Sequence, residues 1–172
     1  MDNNIHNLDY FSDSLLLPFD EKILYDFQNY INSITERNLI RFEKDYVEHL
    51  TAYHGGIPRR RLFYTKEGQE RLVERFLNFI DRKKESAFAQ YQVGVMWSLV
   101  SDRMGENLIP FALLFGGDLL CFDFRSSIEP TIVVWLHEKS RAGDEDTDFE
   151  PLPATEEVAQ NFMSFLQMLY EG

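Results

Sequence analysis

One cysteine, four histidines and a run of carboxylates are the residues of this chain whose types could carry chemistry. Nucleophilic catalysis would need Cys121, or a serine, beside a histidine that is itself oriented by a carboxylate. Cys121 sits between Leu120 and Phe122 in a predicted central strand with no histidine near it in sequence, and His137 could reach it only across the sheet. It reads as a buried structural thiol. Of His6, His49, His54 and His137, the pair at 49 and 54 lies five residues apart, so it does not share a helix face as a spacing of four would. No zinc site is expected.

The acidic run Gly143 to Glu150 places Asp146, Asp148 and Glu150 in alternation, with Glu157 at the twelfth position of a calcium-loop count. Its sixth position is Pro151, where an EF-hand requires glycine, and Pro153 stiffens it further. Phosphate cradles fail too. His54-Gly55-Gly56 lacks the Lys and Ser or Thr of a P-loop, and Gly116-Gly117 is followed by Asp118, which repels phosphate. The expectation is a non-enzymatic protein with no metal and no cofactor.

Charge points the same way. The net charge of −12 divides into −6 over residues 1–54, +2 over 55–125 and −8 over 126–172. Such a field repels nucleic-acid phosphates in spite of the run Arg59, Arg60, Arg61, and it steers a basic protein partner instead. Its plainer consequence is solubility. The start of the chain has neither a basic n-region nor an apolar h-region, and the longest apolar stretches fall short of the roughly 20 residues of a membrane span. A soluble protein in a reducing cytoplasm, with no membrane association, is expected.

The elements that must position these residues follow from period and punctuation. A length of 172 residues suits one core. Residues 1–19 show no period and read as an extension that docks late or stays mobile, leaving 20–172 as a single domain. From Asp20, a plausible N-cap, Ile23, Phe27, Tyr30, Ile31 and Ile34 recur on one helix face. A second helix from near Glu43 carries Tyr46, Val47, Leu50 and Tyr53 up to Gly55 and Gly56, one of which can close it in the left-handed conformation.

Arg60 to Tyr64 reads as a strand, whereas Gln69 to Ile80 fits both a helix and a strand. Phe88, Tyr91, Val95 and Leu99, with Met96 and Val100, mark a third helix that Gly105 ends. Three apolar runs, Leu108 to Leu114, Leu119 to Phe124 and Thr131 to Leu136, read as an antiparallel meander at the centre. A last helix is expected from Thr155, capped there, with Glu156 and Glu157 against its dipole and Val158, Phe162, Phe165, Leu166 and Leu169 buried.

Three stretches in this order resemble the SUKH superfamily (SMI/KNR-like), which holds bacterial immunity proteins and a fungal regulator of cell-wall glucan synthesis. They are the helix ending in His54-Gly55-Gly56, the hairpin Leu108-Ile109-Pro110-Phe111-Ala112 with Gly117-Asp118-Leu119-Leu120-Cys121-Phe122-Asp123, and the closing helix preceded by Val133-Val134-Trp135. The resemblance implies an α+β fold, a central, mostly antiparallel sheet flanked by helices. It also implies a strand over Val73 to Ile80, and fold-defining roles for Gly55, Gly56, Pro110, Gly117, Asp118 and Asp123. By its position Asp123 should cap a turn at a strand end. Leu113, Leu114 and Phe115 depart from the pattern, reading as an apolar surface patch, a tighter turn or a homodimer contact.

The function that the resemblance implies is that of an immunity protein, which binds and neutralises a cognate polymorphic toxin, often a nuclease. Asp144, Glu145, Asp146, Asp148 and Glu150 are the residues expected to face such a basic partner. Two alternatives stand beside it: a regulatory scaffold related to the fungal cell-wall regulators, and an enzyme with an unfamiliar site.

Overall fold

The computed structural model of the chain describes residues 8–16, 18–36, 40–81, 86–142 and 152–172. Among these residues, four α-helices surround a six-stranded antiparallel meander in which every strand pairs with its neighbours in sequence. The strands are β1 (Leu62–Tyr64), β2 (Glu70–Phe76), β3 (Leu108–Leu114), β4 (Leu119–Asp123), β5 (Thr131–Trp135) and β6 (Thr155–Ala159). The helices are α1 (Glu21–Ile34), α2 (Lys44–Tyr53), α3 (Val93–Met104) and α4 (Phe162–Met168). The α+β class expected from the sequence is therefore the class found. Among the described residues, no helix is long and apolar enough to cross a membrane.

Local signals explain most boundaries. The Asp20 carboxylate accepts the Lys22 backbone N–H at 3.0 Å and so starts α1. Gly55 ends α2 with φ +64°, and Gly105 ends α3 with φ +83° while its N–H returns to the Ser101 carbonyl at 2.8 Å. The ambiguous segment resolves to the strand β2 over Glu70–Phe76, in antiparallel register with β3 at Val73 opposite Leu114, so the strand expected over Val73 to Ile80 holds only as far as Phe76.

The apolar runs of β3 and β4 are buried on both faces. Phe122 meets Tyr46 of α2 at 4.9 Å between ring centroids, and Tyr46 in turn meets Phe162 of α4 at 5.2 Å. The neighbouring Cys121 points the other way, to Met104 of α3. Phe111 completes this aromatic centre, with its ring 4.6 Å from that of Phe122. The meander curls until its ends approach each other. Lys66, just after β1, donates its backbone N–H to the Glu157 carbonyl of β6 at 2.8 Å, and Leu62 and Tyr170 exchange backbone hydrogen bonds at 3.0 Å each.

Four expectations change or narrow. First, Thr155 does not cap a helix: residues 155–159 form β6 against β5, and the helix starts later, where Asn161 accepts the Ser164 N–H at 2.8 Å. Glu, Ala and Thr at a segment start imitate a helix N-terminus, but β5 presents an open edge, and pairing overrides propensity. Second, α3 buries Val93, Trp97 and Met104, while Leu99 is 67% exposed. The stripe read from Phe88 was out of phase because residues 86–91 form a 3-10 helix, which advances the chain at a different pitch. Third, of the two outcomes expected for residues 1–19, docking or mobility, docking is the one seen over residues 8–16: Leu8 and Tyr10 are buried and Tyr10 bridges to Pro58. Fourth, Leu114 is fully buried and Leu113 half-buried, so the expected apolar patch reduces to Phe115, which is 74% exposed.

Candidate functional site

The Gly-Asp turn between β3 and β4 brings together groups far apart in sequence. Gly116 and Gly117 both take φ near +97° (96° and 97°), which lets the hairpin turn within one step and aims Asp118 back across the sheet. One Asp118 oxygen accepts the His137 backbone N–H at 2.9 Å and the His137 Nδ1–H at 2.6 Å. The other receives the Arg71 guanidinium from β2. The His137 ring lies over Gly117, where a Cβ would sit 3.3 Å from its Cε1. Burial works to raise the Asp118 pKa, but the hydrogen bonds from Arg71 and His137 outweigh it and hold the carboxyl below the ordinary aspartate value.

An open cleft of about 450 Å³ adjoins this knot, lined also by Glu67, Lys139 and Glu138. A histidine fixed through Nδ1 by an aspartate is half of an acid-base device. None of the described residues lining this cleft carries a hydroxyl or thiol that the His137 Nε2 could activate. Asp118 has instead spent both oxygens on tying β2, the hairpin and the end of β5 together.

The second aspartate, Asp123 at the end of β4, is also internally engaged. It accepts the Arg125 backbone N–H at 3.0 Å and holds the guanidinium at 2.9 and 2.8 Å, while Arg125 also donates to Thr155 Oγ1 at 3.1 Å. The turn cap expected at Asp123 is present in this form. Gly55 and Gly56 serve close approach: a Cβ on Gly56 would lie 2.6 Å from Tyr10 Cδ1, and one on Gly55 would lie 2.6 Å from Leu16 Cδ1. Pro110 sits at an irregularity of β3 opposite Cys121, where the register shifts before Ala112.

The groups considered for chemistry are mostly walled in. His49 and His54 are buried, with the Tyr10 hydroxyl 2.5 Å from His49 Nε2, and the Phe79 backbone N–H donating to His54 Nε2 at 2.9 Å. Burial, with Tyr53 adding to it, pushes the Tyr10 hydroxyl pKa well up, so it stays protonated. Cys121 is fully buried, with Sγ 3.7 Å from Met104 Sδ, and desolvation drives its thiol pKa well above the usual value. Glu157 lies in β6 and faces Lys66 at 3.4 Å. Among the described residues, no group of three or more His, Cys, Asp or Glu could hold a metal ion. Asp144, Glu145, Asp146, Asp148 and Glu150 lie outside the described residues.

Sequence reasoning missed Arg71 and Arg125 as partners of the two aspartates, and Thr155 as the acceptor that Arg125 also reaches. Each is an isolated polar residue with no local pattern, 47 residues from its partner in the case of Arg71 and 30 from Arg125 in the case of Thr155.

A curled antiparallel meander, flanked by helices and pinned by aspartates at the β3–β4 turn and the end of β4, makes this a single-sheet α+β protein. The chain belongs to the SUKH_6 family, described as SMI1-KNR4 cell-wall, whose pattern matches residues 28–166. No curated protein and no solved structure matches it.

Proposed function

We propose that this protein is a non-enzymatic binding protein of the immunity type, which occupies and neutralises a cognate toxin with a basic active surface, such as a nuclease. The observation that carries this reading is a net charge of −12 on a chain of this family. A nuclease site is basic because it must bind phosphates, and an acidic protein competes for it by complementary charge. The internal saturation of Asp118 and Asp123 supports the reading, since these carboxylates serve the fold and leave the outer surface for recognition. The protein would act in the cytoplasm, before the toxin reaches its target.

Asp144, Glu145, Asp146, Asp148 and Glu150 belong to the proposed binding surface. The test is co-expression with the C-terminal domain encoded by the neighbouring gene. Rescue of growth and co-purification are expected, and replacing the five acids with lysine should weaken the complex and flatten its salt dependence. Continued toxicity with no complex would overturn the reading. A second reading, a regulatory scaffold in cell-wall synthesis, draws on the words "cell-wall" in the family description. It would gain if the chain instead co-purified with wall-synthesis enzymes and rescued nothing.

A further inference from the structure

The C-terminal ends of α1 and α3 converge on a cleft of about 760 Å³ on a different part of the surface from the Asp118 knot. Glu36, Asp102 and Glu106 stand around it, and none of the three has an ion-pair partner among the described residues. Among the described residues of the lining the one cation is Arg125, and it is already held by both oxygens of Asp123. Helix C-termini carry partial negative charge, so two of them add to the field of the three carboxylates.

Two further groups are left unfinished at this cleft. Thr35 and Trp97 line it and are only 8% and 6% exposed, yet among the described residues Thr35 Oγ1 and Trp97 Nε1 have no hydrogen-bond partner. A buried indole N–H and hydroxyl left unsatisfied are costly to the free protein and are expected to find partners in a complex. They call for an acceptor such as a peptide carbonyl, and for a donor such as a guanidinium.

The spread of the carboxylates selects among ligands. They are not close enough together to hold a metal ion. The excess of negative charge, with Arg125 already engaged by Asp123, disfavours phosphates and nucleic acid. A side chain with several donors, carried on a segment of backbone, satisfies all of these groups at once.

We propose that the cleft between the ends of α1 and α3 is the docking site for an arginine-bearing segment of a protein partner. This deepens the function proposed above and rests on it for the identity of that partner as a basic protein. Glu36, Asp102 and Glu106 take the guanidinium charge, and Trp97 and Thr35 engage the segment's polar atoms.

The probe is a fluorescein-labelled peptide of alternating arginine and glycine, titrated by anisotropy. Three proteins are compared: the wild type, a cleft variant (Glu36→Gln, Asp102→Asn, Glu106→Gln), and a control losing three charges elsewhere (Asp13→Asn, Glu67→Gln, Glu171→Gln). All six side chains are exposed, so both variants should fold, which thermal unfolding verifies. The cleft variant should bind about tenfold more weakly, as exposed pairs of this kind add up, and the control less than about twofold. The two indole N–H resonances, one from Trp97 and one from Trp135, give a site-specific readout, and that of Trp97 alone should move on binding. Equal weakening in both variants, a stationary Trp97 resonance, or no binding to the wild type would overturn the proposal. If the cleft variant still neutralises the neighbouring gene's toxin domain as well as the wild type, the docking site falls while neutralisation stands. Peptide binding in the cleft without any neutralisation gives the reverse.

Discussion

Replacing Asp118 with alanine removes the knot that joins β2, the β3–β4 turn and the end of β5. The Asp118 and Arg71 side chains are 14% and 18% exposed, so their pairing is largely shielded but not dry. The variant loses one charge-assisted pair and two hydrogen bonds from His137. Hydrogen bonds to charged groups contribute roughly 1.5–3 kcal/mol each, but they are not additive and the adjoining cleft lets water reach the orphaned groups. A total loss of about 2–3 kcal/mol follows. At this chain length that corresponds to a fall in Tm of roughly 4–12 °C. The sign of the pH dependence is fixed by the direction of the shift. The folded-state pKa of Asp118 lies below the unfolded value of about 3.9. Its contribution is therefore complete above that value and is lost as pH falls through the folded pKa. Urea unfolding of wild type and variant at neutral pH and across the acid range tests both points. The stability difference should stand at neutrality and close in acid. A cycle with Arg71→Ala should show coupling of about 1 kcal/mol or more. A neutral-pH difference below about 1 kcal/mol, or one that does not change in acid, would refute the account of Asp118 as a structural knot.

Two further outcomes follow from the fold. Gly55→Ala should cost about 2–4 kcal/mol, from the left-handed backbone at φ +64° and a Cβ 2.6 Å from Leu16, whereas Gly68→Ala, at φ +85° with open space around it, should cost only about 1–2; equal losses in chemical denaturation would mean that the close approach of residues 8–16 to Gly55 contributes nothing. Cys121, buried and with its thiol pKa pushed up by desolvation, should resist a disulfide-exchange reagent in the native protein and react once on unfolding, at a rate that follows urea concentration; stoichiometric labelling of the native state within seconds would contradict its burial.

The contrast between Asp118 and Glu36 shows where function separates from fold. Both are carboxylates near a cleft, but Asp118 has each oxygen matched by a donor, and Glu36 has none among the described residues. Matched groups hold the protein together, and unmatched ones are available to a partner.

What the sequence determined by itself is the set of features written in short-range pattern. The apolar runs of β3, β4 and β5 announce strands buried on both faces, and Asp20, Gly55 and Gly105 mark helix ends through their own backbone preferences. The order of these motifs was enough to place the chain in its family. Tertiary structure alone decided the rest. Residues 155–159 became β6 because β5 had an edge to pair, Tyr10 became core because Gly56 leaves room for its ring, and Arg71 met Asp118 because the meander sets β2 beside the hairpin. The three carboxylates of the cleft are likewise assembled from the ends of two helices separated by more than fifty residues. The physical reason is one of range. Backbone propensity and hydrophobic period act over a few residues and can be read in a line, whereas pairing, burial and charge compensation depend on neighbours that only the folded chain supplies.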